Sequence, residues 1–134
     1  MYGRSGKIAF MTFAYWSILL AFLIPYFSII YAKTGKGFSN KTPRVYLSEL
    51  EEGPRKRAYW AHQNAFEILP LYFSAIILGH IQNIDLAQLN TIAGQFLAFR
   101  VAYVFAYIFD RSTLRSILWS GSFGCILGIF LLAI

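Results

Sequence analysis

The sequence predicts an all-α integral membrane protein built as a bundle of four transmembrane helices, and three observations support this fold class. Of the 134 residues, 57% are hydrophobic and only 13% are charged, whereas soluble domains carry about 25% charged residues. Basic residues cluster between apolar stretches. Three long apolar stretches match or exceed the roughly 20 residues that cross a bilayer, and a fourth reaches that length because apolar residues continue beyond Arg100 to residue 109. The stretches are 8–32, 58–84, 86–99 and 116–134, and Glu67 is their only charged residue.

The predicted helices follow directly from these stretches. We expect one domain over 1–134, a cytoplasmic loop at 33–56, and tight turns at 83–85 and 110–112. Such short turns make consecutive helices antiparallel neighbours. Pro25 and Pro70 lie inside helices, which a membrane bundle tolerates when neighbouring groups satisfy the freed backbone carbonyls. The four predicted helices cover about 8–32, 57–82, 86–109 and 112–134.

The distribution of Lys and Arg predicts the orientation. Seven lie between the first two helices and two lie around the third turn, against two before the first helix and none in the second turn. Lys and Arg favour the cytoplasmic side, so both termini should lie on the non-cytoplasmic side. Basic residues beside spans also contact anionic lipid head groups. No basic stretch is interleaved with the stacking aromatics that bind single-stranded nucleic acid, so we expect no nucleic-acid partner.

Small residues recur at four-residue spacing on two helices. Gly94, Ala98 and Ala102 continue to Ala106 on the third helix, and Gly124 precedes Gly128 on the fourth. In lipid, such stripes allow helix backbones to approach closely. We therefore expect helix packing at both stripes.

The second helix carries the most informative polar residues. Arg57, Trp60, Asn64 and Glu67 are spaced three, four and three residues apart, so they share one helical face. Glu67 should lie about 15 Å from the start of the helix, near the bilayer centre. An intramembrane carboxylate is costly and is by default functional.

Arg100 on the antiparallel third helix should lie at the same depth as Glu67, and Tyr103 and Tyr107 share its face. We therefore expect a Glu67–Arg100 ion pair. The alternative is that the pair only holds the bundle in register.

Arg115 and Ser116 fall in the first turn of the fourth helix. Free N–H groups and the helix dipole favour anions there, and a thiol at such a position loses its proton more easily. The alternative is an interfacial anchoring arginine. Neither His62 nor His80 belongs to a metal-ligand cluster, so no metal is expected.

These residues resemble a known family. The segment from Arg57 through Asn64 and Glu67 to Pro70, with Arg100-x-x-Tyr103-x-x-x-Tyr107 and Arg115-Ser116, is similar to the signature of the MAPEG family, the membrane-associated proteins in eicosanoid and glutathione metabolism. The resemblance implies a short, bacterial-type member in the cell (inner) membrane, assembled as a homotrimer. It also implies glutathione bound as cosubstrate between neighbouring subunits, with an apolar substrate arriving from the membrane lipids.

The resemblance also implies residue roles. Arg115 and Ser116 would stabilise the glutathione thiolate. The remaining candidate glutathione-binding residues are Arg57, Asn64, Glu67, Arg100, Tyr103 and Tyr107.

The sequence departs from the family pattern at three positions. Trp60 and Gln63 stand where the eicosanoid-synthesising enzymes carry arginines, and Tyr103 stands where some members have histidine. Three functions follow as alternatives. The first is a membrane glutathione S-transferase or peroxidase, and the second is a non-catalytic protein that binds lipids or other apolar ligands. The third is a small proton-coupled exporter that uses Glu67.

Overall fold

The computed structural model describes residues 11–134, which form five α-helices and no strand. Four of the helices are long and apolar enough to cross a membrane, whereas α2 is a short helix in the first loop. The predicted fold class and its four spans are confirmed. The helices are α1 (Phe13–Ala32), α2 (Pro43–Glu49), α3 (Pro54–Ile81), α4 (Leu86–Ile108) and α5 (Ser112–Leu132).

The start of α1 differs from the predicted boundary at residue 8. Thr12 caps the helix, because its side-chain oxygen accepts a hydrogen bond from the Tyr15 amide at 3.1 Å. Met11 and Thr12 therefore precede α1, and residues 8–10 lie outside the described part of the chain. Asn90 also accepts a hydrogen bond from the Ala14 amide at 2.9 Å. Together these contacts satisfy amides that a helix start leaves free.

α3 begins at Pro54, three residues before the predicted start. Proline suits the first helical position because its φ angle is already helical and its missing N–H needs no partner there. The helix has 28 residues and spans about 42 Å, more than the roughly 30 Å of hydrocarbon. The loop is correspondingly shorter than predicted and contains α2, whose Leu47 packs against Ile29, Ala32 and Ala58.

The last two helices end slightly earlier than predicted, at Ile108 and Leu132. Asn83 after α3 and Asp110 after α4 have positive φ angles of 55° and 58°. A left-handed residue directly after a helix is a common way to end it, and asparagine and aspartate tolerate that conformation. The two tight turns therefore form where the sequence indicates them.

The core lies between α1, α3, α4 and α5 and is centred on Tyr72 of α3 and Phe96 of α4, whose rings stack at 3.6 Å. Gly79 and Gly121 provide the close approaches, because a Cβ atom there would lie 2.9 Å from Leu89 and 2.8 Å from Phe99. The two predicted small-residue stripes, by contrast, lie mostly away from this core. Gly94, Ala98 and Ala102 are partly or fully exposed, and a Cβ at Gly124 or Gly128 would meet no atom of the described residues within 4 Å.

The buried face of α4 and its small-residue stripe lie on different sides of the helix. The stripe prediction is therefore wrong for packing within the subunit, except at buried Ala106. The physical reason is that large aromatic and aliphatic side chains of α4 fill the space towards α3 and α5. The buried residues of α4 are Leu89, Ala93, Phe96, Arg100, Tyr103 and Ala106.

Polar contacts also hold α1 against α3. The Ser17 and Tyr72 hydroxyls lie 2.5 Å apart, and the Ser28 hydroxyl donates to the Ala58 carbonyl at 2.6 Å. His62 Nδ1 donates to the Pro25 carbonyl at 2.9 Å. Because no water competes in the bilayer core, such contacts satisfy groups that would otherwise be costly to bury.

Candidate functional site

The centre of the candidate site is Arg100 on α4, which is only 2% exposed. Its Nη2 donates to Asn64 Oδ1 at 3.3 Å, and Asn64 Nδ2 donates to Glu67 Oε2 at 3.0 Å. Asn64 thus stands between the two charged groups. The expected direct Glu67–Arg100 ion pair is not formed among the described residues. The reason is that an amide can accept from a cation and donate to a carboxylate at once, and Asn64 shares the face of Glu67.

Arg100 has unused hydrogen-bonding capacity. Its Nη1 is buried and has no hydrogen-bond partner among the described residues. A buried donor without a partner costs free energy, and the cost is larger when the group is charged. Buried polar groups are therefore rarely left in this state. The position calls for an acceptor or an anion.

Two arginines with two aromatic rings between them form a line from Arg100 to the start of α5. Arg100 Cζ lies 4.3 Å from the centre of the Tyr103 ring, and Arg115 Cζ lies 4.3 Å from that of Tyr107. The two tyrosine rings meet edge to face at 5.6 Å. Cations over aromatic faces are attracted by the ring quadrupole. We call this set of four side chains the cation–tyrosine ladder.

The local sequence explains the ladder. Spacings of three and four residues place Arg100, Tyr103 and Tyr107 on one face of α4. The turn between Ile108 and Ser112 is short, so the first turn of α5 lies beside the last turn of α4. No side chain among residues 11–134 caps the start of α5.

A small cavity lies at the α5 end of the ladder. It has a volume of about 230 Å³ and is lined by Tyr103, Arg115, Ser116, Trp119 and Ser120. The structure therefore brings both predicted catalytic residues to one cavity with Tyr103. Sequence reasoning missed Trp119 and Ser120. Their spacing could have identified them. Trp119 and Ser120 lie four residues after Arg115 and Ser116, and residues four apart are neighbours on the same face of a helix.

Glu67 has a different environment from the other site residues. It is the fourteenth of the 28 residues of α3 and is exposed on the subunit surface. Trp60, Gln63 and Ser74 are also exposed on this side of the helix. A carboxylate facing lipid at the middle of a span is unfavourable. This outward side of α3, which we call the α3 polar face, therefore needs a cover other than lipid tails.

Arg57 is a predicted site residue that belongs neither to the ladder nor to the lining of the cavity. Its Nε donates to the Ile108 carbonyl at 3.0 Å, one of the carbonyls that the end of a helix leaves without a partner. Arg57 therefore ties the start of α3 to the end of α4. This contact also shows that the first loop and the third turn lie on the same side of the bundle.

Comparison with known proteins adds one finding. No curated protein and no solved structure matches the chain. The family model of the MAPEG family matches residues 13–134, essentially the whole chain from the start of α1. Four helices long and apolar enough to cross a membrane agree with that match, and the chain belongs to the MAPEG family.

Proposed function

We propose that this protein is a membrane-bound glutathione transferase or peroxidase. It would join the glutathione thiolate to an apolar electrophile or reduce a lipid hydroperoxide. The observation that carries the proposal is the buried Nη1 of Arg100, which has no hydrogen-bond partner within residues 11–134 and is connected through the ladder to Arg115 at a cavity. Glutathione is an anionic peptide with a thiol, so it offers both a partner for the buried cation and a nucleophile for the cavity.

The residues divide into two groups by what they offer such a ligand. Arg100, at one end of the ladder, would offer its Nη1 donor to a carboxylate, and Tyr103 and Tyr107 line the path between the two arginines. Arg115 and Ser116 lie at the cavity. A nearby cation favours the thiolate over the thiol, and the thiolate is the nucleophile. The apolar substrate would enter directly from the lipid.

The α3 polar face supports a site shared between subunits. The exposed carboxylate of Glu67 and the neighbouring Gln63 and Ser74 would be covered if this face packed against another copy. We propose a homotrimer in which glutathione lies between neighbouring subunits. In this assembly Glu67 and Asn64 would reach the ligand from within the interface.

The orientation is part of the same proposal. Nine Lys and Arg residues in the first loop, in the first turn of α3 and around the third turn outnumber the two before α1, and such residues favour the cytoplasmic side. The candidate cavity would then open towards the cytoplasm, where glutathione is abundant. Both termini would lie outside, and in a bacterial cell the membrane would be the inner membrane.

A second candidate function is supported by Trp60 and Gln63. Both are exposed on the α3 polar face, where they add no positive charge for the two carboxylates of glutathione. A non-catalytic protein that holds an apolar ligand or a lipid would need no such charge. The two functions differ in whether glutathione binds and whether it reacts.

One experiment tests the proposed function. Calorimetric titration of the detergent-solubilised protein with glutathione, alongside an assay with a chromogenic electrophile, should show saturable binding and glutathione-dependent turnover. Arg100→Met removes the buried cation but keeps a long side chain, and should weaken binding. Apolar-ligand binding without glutathione binding would support the non-catalytic function and overturn the enzyme proposal.

A further inference from the structure

The outward face of α4 ends in a ridge of two phenylalanines. The Phe105 and Phe109 rings are nearly parallel, with centres 6.3 Å apart and an angle of 12° between their planes. Their side chains are 56% and 66% exposed. The ridge lies at the end of the bundle that carries the first loop, and an apolar groove runs along each of its sides.

The two grooves are similar in size. One, of about 620 Å³, lies between α1 and α4 and includes Phe27 and Val104. The other, of about 590 Å³, lies between α4 and α5 and includes Leu114 and Leu118. Phe105 and Phe109 line both grooves. The ridge is therefore a wall that separates two parallel apolar channels.

The grooves have the depth of part of one leaflet. The α4 residues of the first groove run from Val101 to Phe109, about 12 Å along the helix axis. One leaflet contributes about 15 Å of hydrocarbon. Between helices in lipid there is no hydrophobic force to close such gaps, so acyl chains can occupy them without displacing protein contacts.

The mouth of the second groove is charged. Arg111 lines that groove and is exposed at the interface end. A basic side chain at this level attracts anionic lipid head groups, and its guanidinium matches the geometry of a phosphate. In the part of the chain that the structure describes, the lining of the first groove includes no charged side chain. One cation beside two apolar channels complements a molecule with one phosphate and two chains.

We propose that this face binds one diacyl glycerophospholipid astride the ridge, with one acyl chain in each groove and its phosphate on Arg111. The occupied residues differ from those of the Arg115 cavity, so the lipid site stands or falls independently of the enzymatic function. The lipid would be a structural ligand of the leaflet that faces the first loop.

Native mass spectrometry of the delipidated protein in detergent, titrated with diacyl phosphatidylglycerol, tests the proposal. We expect saturation at one lipid per subunit. Arg111→Gln should weaken binding about fivefold, the factor that corresponds to the roughly 1 kcal/mol of one basic residue at a lipid surface. Lys41→Gln, which removes an exposed charge from the loop, is the matched control and should leave binding unchanged.

Groove-filling variants separate a two-chain lipid from other occupants. Val104→Trp fills the first groove, Leu118→Trp fills the second, and Leu131→Trp at a 71% exposed position is the control. Each filling variant should abolish preference for the diacyl lipid over its single-chain lyso form, which wild-type protein should show. Equal affinity of wild-type protein for both lipids would overturn the proposal. So would a filling variant that loses oligomeric mass with unchanged lipid binding, because a second copy would then cover the face.

Discussion

At the residue scale, the position of Asn64 between Arg100 and Glu67 determines how substitutions should change the stability of the protein. Asn64→Ala removes the hydrogen-bond partner of Arg100 Nη2 and leaves more of a buried cation unsatisfied, which costs about 1–3 kcal/mol. Glu67→Gln keeps an acceptor for the Asn64 amide and should cost less than about 1 kcal/mol. Thermal unfolding in detergent measures both. A loss for Glu67→Gln as large as that for Asn64→Ala would show that Glu67 meets Arg100 directly.

The same scale applies to the proposed thiolate site. Arg115→Ala should raise the pKa of the bound glutathione thiol and lower turnover, because a full charge beside the sulfur is lost. Each pKa unit corresponds to about 1.4 kcal/mol, so thiolate absorbance near neutral pH should fall clearly. Ser116→Ala should have a smaller effect, since a neutral hydroxyl forms a weaker hydrogen bond than a charged group. Lys41→Ala is the control. Unchanged absorbance in Arg115→Ala would remove that residue from the chemistry.

At the element scale, the outward faces of α3 and α4 have different expected partners. Ser74 lies on the α3 polar face and Ala98 lies on the outward face of α4, and both are exposed. If the α3 polar face forms the subunit interface, Ser74→Trp should reduce the oligomeric mass measured by light scattering in detergent. Ala98→Trp is the matched control and should not. A monomeric mass for the wild-type protein would contradict the assembly, and with it a site shared between subunits.

At the scale of the whole molecule, the arrangement of the helices predicts which loops and helix ends lie on the same side of the membrane. The Arg57–Ile108 contact joins the start of α3 to the end of α4, and the C-terminus lies at the opposite end of α5. In a Cys125→Ala background, a cysteine at Ser39 should react with an impermeant thiol reagent only from the cytoplasmic side. A cysteine at Ile134 should react only from outside. The reverse labelling pattern would overturn the orientation, although not the fold.

Much of the architecture follows from local sequence properties. Apolar runs of span length and turn residues such as Asn83 and Asp110 act on the nearby backbone, so the four spans and their turns were predicted closely. The candidate Arg100, Tyr103 and Tyr107 face was also predicted, because helical periodicity determines it. The start of α3 was misplaced because the predicted loop at 33–56 included Pro54, which instead occupies the first position of the helix.

Only the tertiary structure decided how the faces are used. Periodicity states which residues share a face, but the rotation of each helix about its axis depends on side-chain packing between helices. That rotation buries Phe96 and Arg100 and turns the small-residue stripe of α4 outwards. The positions of Glu67 and Arg100 along their helices predicted that the two residues lie at the same depth. Packing then placed Asn64 between them, so that its amide joins the two charged groups. The sequence therefore determined the spans and the polar residues, and packing determined their partners.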